Sequence, residues 1–191
     1  KGCDPPKPSR STLKDRLLKV FEVNALSSSK FKTYSINWLR PYSPLFPYMP
    51  LIPKPFRALV IGSSGTIGSA FIDLLENHPG CSEVVGIHRN SAHPIDYQDL
   101  STVEQAANAL AGEAPFQLII NTIGLLHTEK YMPEKKLADL NHAQLNELMH
   151  VNAIGPALTI KCFTNLLDSQ NGVMAILSAK VGSIEDNRLG G

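Results

Sequence analysis

The chain is poor in the residues that build metal and disulfide sites. Its three cysteines, Cys3, Cys81 and Cys162, are odd in number and widely scattered. They form no disulfide framework and suit a reducing, cytoplasmic compartment. No Cys-x-x-Cys or His-Glu-x-x-His spacing occurs, and the six histidines make no ligand set, with His127 alone and His142 and His150 eight apart. No metal site is expected. The Gly-x-Ser-x-Gly elbow of a nucleophilic hydrolase is missing, and Gly62-Ser-Ser-Gly65 does not replace it. The Gly-x-x-x-x-Gly-Lys-Ser/Thr signature is missing as well, which removes a P-loop ATPase. No apolar run approaches the length that crosses a bilayer.

Acidic residues are scarce only at the start. Residues 1–57 hold eleven of the eighteen Lys and Arg against Asp4, Asp15 and Glu22. The remainder holds seven basic and fourteen acidic residues, so the formal net charge of +1 conceals an acidic body. A nucleic-acid partner is not expected of it, nor a membrane. Nine of the fourteen prolines fall in residues 1–55, and Pro41, Pro44, Pro47, Pro50 and Pro53 recur every third residue. That period matches a polyproline II ribbon. The segment reads as a basic, Pro-rich, poorly ordered extension; an adaptor ligand, an arm packing on a partner and an organelle transit peptide are the alternatives. Ser11–Val23 can form one short amphipathic helix. The first residue is Lys1, so a fragment, a processed form or an artefact of how the sequence was obtained is expected.

What the chain does contain is the run Arg57-Ala-Leu-Val-Ile-Gly-Ser-Ser-Gly-Thr-Ile-Gly-Ser-Ala-Phe71. An apolar strand meets Gly62, Gly65 and Gly68, and a helical pattern follows at once. Gly62 permits a tight turn out of the strand, Gly65 lets main-chain amides approach phosphates, and Gly68 lets the helix pack closely. Ser63, Ser64, Thr66 and Ile67 complete a turn whose amides face a dinucleotide pyrophosphate at the positive end of a helix. About twenty residues on, a second strand runs out at His88 and Arg89 with no carboxylate there, which points to NADP, with NAD as the alternative. Arg89 as an ordinary solvated cation stays equally open.

Strands at Ala58–Ile61, Val84–Ile87, Pro94–Tyr97, Phe116–Asn121 and Gly172–Ser178 alternate with helices. The first helix is Ile67–Asn77, with Ile67, Phe71, Leu74 and Leu75 facing inward, and left-handed Gly80 ends it. A second helix runs through Val103, Ala106, Ala107 and Leu110. Asn141 caps a long third helix toward Leu167. The expected fold is α/β, a Rossmann-like doubly wound parallel sheet over residues 56–191 with strand order 3-2-1-4-5. The sheet is incomplete at the edge of strand five, an aggregation hazard.

Over residues 57–191 the chain resembles the short-chain dehydrogenase/reductase family, and within it the C-factor and sniffer-type carbonyl reductases. Asp96 with Tyr97 follows the third strand, where the resemblance implies an aspartate near the adenine ring. Asn121-Thr-Ile-Gly124 is similar to the family's Asn-Asn-Ala-Gly segment, which implies that Asn121, Ile123 and Gly124 flank the cofactor. Asn152, in His150-Val-Asn-Ala-Ile-Gly155, matches the asparagine that kinks a helix and holds a water of the proton relay. Leu177-Ser-Ala-Lys-Val-Gly-Ser-Ile184 resembles the segment that delivers the substrate-binding serine. Ala179 stands at the usual serine position, leaving Ser178 first and Ser183 second; Ser178 as a plain turn residue is the alternative.

The family's proton donor is a tyrosine four residues before a lysine, on the helix after strand five. Tyr131-Met-Pro-Glu-Lys135 has that spacing, but Pro133 argues against a helix there and the run precedes the long helix. The expected catalytic pair therefore lies past Gly191, and the chain without it is expected to be inactive. The resemblance implies an NADP-dependent oxidoreductase of the short-chain type that reduces a small-molecule carbonyl substrate, a homo-oligomer when complete. The alternative is a non-catalytic dinucleotide-binding sensor or signalling scaffold on the same fold, which Ala179 favours.

Overall fold

The computed structural model describes residues 52, 54–128 and 130–179. The prolines Pro41, Pro44, Pro47, Pro50 and Pro53 of the expected ribbon, the Ser11–Val23 helix, Cys3 and Ser183 lie outside them. The elements that set the architecture are β1 (Phe56–Ile61), α1 (Thr66–Glu76), β2 (Cys81–Ile87), α2 (Ser101–Ala109), β3 (Leu118–Asn121), α3 (His142–Met149), α4 (Gly155–Phe163) and β4 (Val173–Ile176).

The four strands are parallel, in the order β2-β1-β3-β4. β1 is almost entirely apolar because both its faces are covered. Leu59 and Ile61 point into one core with Val103, Ala106, Leu110, Phe116 and Phe163, beneath α2 and α4. Ala58 and Val60 point into the other with Phe71, Leu74 and Leu75 of α1. The register aligns Ile61 with Ile87 and Asn121, and Asn121 with Ile176. All four carboxyl ends therefore finish at one level. Because β2 and β3 leave β1 on opposite sides, a crevice opens at the end of β1.

Four expectations are corrected. Pro94–Tyr97 is not a ladder strand: only a single antiparallel bridge joins Asp96 to Asp99. Pro94 has no amide to give a ladder, and local bonds take the backbone instead. The Ser91 hydroxyl donates to the carbonyls of His88 and His93, and the Thr102 hydroxyl accepts from the Asp96 amide. The described sheet is thus strands 2-1-4-5 of the expected order, with β2 at one edge.

In α1, Ile67 is 42% exposed and Gly68 takes the inward place beside Phe71, Leu74 and Leu75. Gly80 is not left-handed, since Gly62 alone among the described glycines has positive φ. A Cβ on Gly80 would lie 2.7 Å from the Lys54 side chain.

The long helix is not continuous. Asn141 does cap α3, its Oδ1 accepting from the amides of Ala143 and Gln144 at 2.9 and 3.2 Å. A π-helical turn over His150–Ile154 then interrupts it, α4 follows, and a 3-10 turn at Thr164–Leu166 ends it. Tyr131–Lys135 is not helical, so its tyrosine and lysine have no helix face to share.

Candidate functional site

The crevice at the end of β1 is built around Gly62. Its φ of +85° turns the chain sharply out of the strand, a conformation that strains other residues. The amides of Gly62 and Ser63 both donate to the Ile87 carbonyl, at 2.8 and 3.1 Å, tying the turn to β2. On the other side the Thr122 hydroxyl donates to the carbonyls of Ile61 and Gly62 at 2.9 and 3.2 Å, tying it to β3. A Cβ on Gly62 would stand 2.7 Å from that hydroxyl. Thr122 is not singled out by the sequence pattern, although it sits inside the Asn121–Gly124 run.

α1 begins immediately beyond. Gly65 is its N-cap in extended conformation (φ −73°, ψ 163°), and no side chain caps the helix. The first amides of a helix have no intrahelical acceptor, so those of Thr66 and Ile67, which are exposed, are left at the positive end of the helix dipole. Ser64, Gly65, Thr66 and Ile67 are exposed there, and Ser63 is half-buried. A Cβ at Gly65 would meet only the Gly62 carbonyl oxygen, at 3.4 Å, so the space above it is open. A Cβ on Gly68 would overlap that same oxygen. The residues present fit a diphosphate: a tight turn, an open approach at Gly65 and unpaired amides converge on one spot.

Beside the turn lies an open groove of about 280 Å³, lined by Ser63, Ser64, Ser69, Gly86 and His88 with the carboxylates of Asp73 and Glu76 farther along α1. Arg89 is exposed at the end of β2 and has no ion pair among the described residues. Asp96 is half-buried, its Oδ1 accepting from the Gln98 amide at 3.0 Å.

Tyr97 turns the other way. It is 2% exposed, and its hydroxyl lies 2.7 Å from Asn121 Nδ2 and 2.5 Å from Thr159 Oγ1. Burial pushes the Tyr97 phenol up, with the bonds to Thr159 and Asn121 opposing the rise. Its ring lies where the side chain of any other residue at Gly155 would go. Asn121 is also fully buried, its Oδ1 accepting from the Ile123 amide at 3.0 Å. Both side chains thus shape the crevice wall from behind. Ile123 and Gly124 form the wall itself, half-buried and exposed respectively.

Asn152 sits in the π-helical turn, where an interrupted ladder often marks a functional site. Its Oδ1 accepts from the Leu125 amide at 2.8 Å and its Nδ2 donates to the Leu125 carbonyl at 2.6 Å. The wall is therefore pinned at both ends. Ser178 is exposed just past β4, followed by exposed Ala179. No group of three or more metal-ligating side chains forms among the described residues. Nor, among them, is any helix long and apolar enough to cross a membrane.

No protein-family model matches the chain, and no curated protein matches it. Solved structures do share its fold. The NADPH-bound carbonyl reductase from chicken fatty liver aligns with a TM-score of 0.60 at 17% identity, over 71% of this chain and 61% of that one. A Burkholderia multivorans protein assigned as a short-chain dehydrogenase/reductase, with bound NADP, aligns at 0.61 and 22% identity, over 72% and 64%. A Caenorhabditis elegans protein assigned as the carbonyl reductase Sniffer aligns at 0.59 and 17%, over 72% and 69%. The chain thus spans less than two thirds of the first two structures it matches. It has the Rossmann-like fold of short-chain dehydrogenase/reductase structures.

Proposed function

We propose that the chain carries the dinucleotide-binding part of an NADP-dependent oxidoreductase of the short-chain type, which reduces a small carbonyl substrate. One observation carries the reading: the uncapped first turn of α1 is pressed onto the Gly62 turn at the end of β1, where strand order reverses. The NADPH and NADP held by the chicken and Burkholderia structures support the choice of cofactor.

When bound, the dinucleotide would supply hydride chemistry for a carbonyl carbon. The chain's own residues bind and orient. The amides around Gly65 and Thr66 would meet the diphosphate, and Arg89 would neutralise the 2′-phosphate. Ile123 and Gly124 close the opposite wall, with Asn121 and Tyr97 behind them. Asn152 and Ser178 stand on the side where substrate would enter, and Ser178 Oγ would hydrogen-bond the carbonyl oxygen. A tyrosine paired with a lysine, supplied from outside the described residues, would donate the proton. We place the complete protein in the cytoplasm as a homo-oligomer, on the scattered cysteines and the family resemblance.

The exposed Ala179, where a substrate-binding serine is expected, favours a second reading as a dinucleotide-binding sensor. NADPH fluorescence titration of the 191-residue chain, followed by carbonyl-dependent NADPH oxidation with a chain extended past Gly191, separates the two. Binding with turnover supports the reductase. Binding without turnover across a carbonyl panel supports the sensor, and absence of binding overturns both.

A further inference from the structure

The hydroxyl groups behind the crevice wall form a chain whose direction follows from their chemistry. The Thr159 hydroxyl donates to the Gly155 carbonyl at 3.0 Å, in α4, so its single proton is spent. It therefore accepts from Tyr97, whose own single proton is spent there in turn. Tyr97 must then accept from Asn121 Nδ2. That leaves Asn121 Oδ1 turned toward the Ile123 amide, the first backbone donor of the wall after Thr122. No other arrangement of these protons satisfies all four hydrogen bonds.

We infer that Tyr97 and Thr159 are positioning residues for the cofactor wall, holding the Asn121 amide in the one orientation that fixes Ile123. Asn121 and Thr159 are fully buried and Tyr97 nearly so, which makes a lost partner costly. With the tyrosine hydroxyl gone, the buried Nδ2 has nothing to donate to, and the amide is free to turn its donor away from Tyr97 and its acceptor off Ile123. Gly155 belongs to the device as well, since only a residue without a side chain admits the Tyr97 ring against α4. The start of α4 is coupled in this way to the loop after β3.

The inference rests on the dinucleotide reading only for its consequence, not for the hydrogen-bond chain. Its test is carried out on the full 191-residue protein, with amide exchange of Ile123 followed by NMR and NADPH affinity followed by fluorescence. Tyr97→Phe and Thr159→Val are each expected to speed Ile123 exchange by about tenfold and to weaken NADPH by a similar factor. Thr159→Ser keeps the hydroxyl and is expected to behave as wild type. The double variant is expected to lose no more than either single one, because both break the same chain. Ile123 exchange at the wild-type rate in a folded Tyr97→Phe protein overturns the inference, as does failure of Thr159→Ser to preserve it. Wild-type protein that binds no NADPH overturns the dinucleotide reading instead, and the Ile123 rates still decide whether the wall is positioned as described.

Discussion

Gly68 rests directly on the carbonyl oxygen of Gly62, so that the inner face of α1 and the turn out of β1 share one van der Waals surface. The contact sets how far the helix amides stand from the crevice. It also makes the two glycines respond differently from the one between them.

Gly68→Ala should be costly. Its methyl group would have to displace backbone of the same turn, Gly62 and Ser63, and not a flexible side chain. Overpacking of this kind costs about 1–3 kcal/mol. Urea denaturation should show that loss, with NADPH affinity falling alongside it. A variant as stable as wild type would mean that the helix can retreat freely.

Gly65→Asp should separate folding from binding. The extended N-cap conformation and the open space above it accept a side chain. Aspartate at an N-cap is better than glycine by about 0.3 kcal/mol, so the melting temperature should hold or rise slightly. The same carboxylate occupies the place of the phosphates, and NADPH should weaken by more than about tenfold. Retained affinity would remove the glycine turn from the binding site.

Arg89→Asp should exchange cofactor preference without a stability cost. The side chain is exposed and without an ion pair among the described residues, so stability should stay within about 0.5 kcal/mol. Loss of the cation and gain of a carboxylate should move the ratio of NADPH to NADH affinity by about tenfold toward NADH. An unchanged ratio in parallel titrations would show that Arg89 does not read the 2′-phosphate.

Acid should weaken the fold partly through His78. Burial and then the Lys54 charge hold its pKa below the ordinary value of 6.5. Its Nδ1 accepts from the Gly80 amide at 3.0 Å, and its ring lies 5.3 Å from that of Phe56. Because the unfolded chain takes up this proton first, the contribution is complete above about pH 6.5 and declines as the pH falls below it. Thermal melts across that range should show a smaller slope for His78→Gln than for wild type. Equal slopes would assign the loss to other groups.

Much of this was legible in the residues. The apolar run before Gly62, the helical stripe through Phe71, Leu74 and Leu75, and the alternation of strands with helices are set by local rules of burial and turn geometry. The Asn141 cap is equally local. Pro94–Tyr97 was misread because its apolar residues are buried without belonging to a ladder: Ile95 and Tyr97 fill the core while Asp96 and Asp99 bend the backbone. Ile67 was misread because a helix's first turn at a crevice is left uncovered there.

The order of residues by itself determined a parallel sheet with a glycine turn after its first strand, since the positive φ of Gly62 and the seat of Gly68 upon that turn are constraints between near neighbours. Only the folded molecule decided which way Tyr97 faces, that Thr122 clasps Gly62, and that Asn152 in the π-helical turn holds Leu125. Those partners are 62 residues apart for Tyr97 and Thr159, 60 for Thr122 and Gly62, and 27 for Asn152 and Leu125. A buried donor takes whatever acceptor the packing brings to it, and no spacing along the chain announces which one that will be.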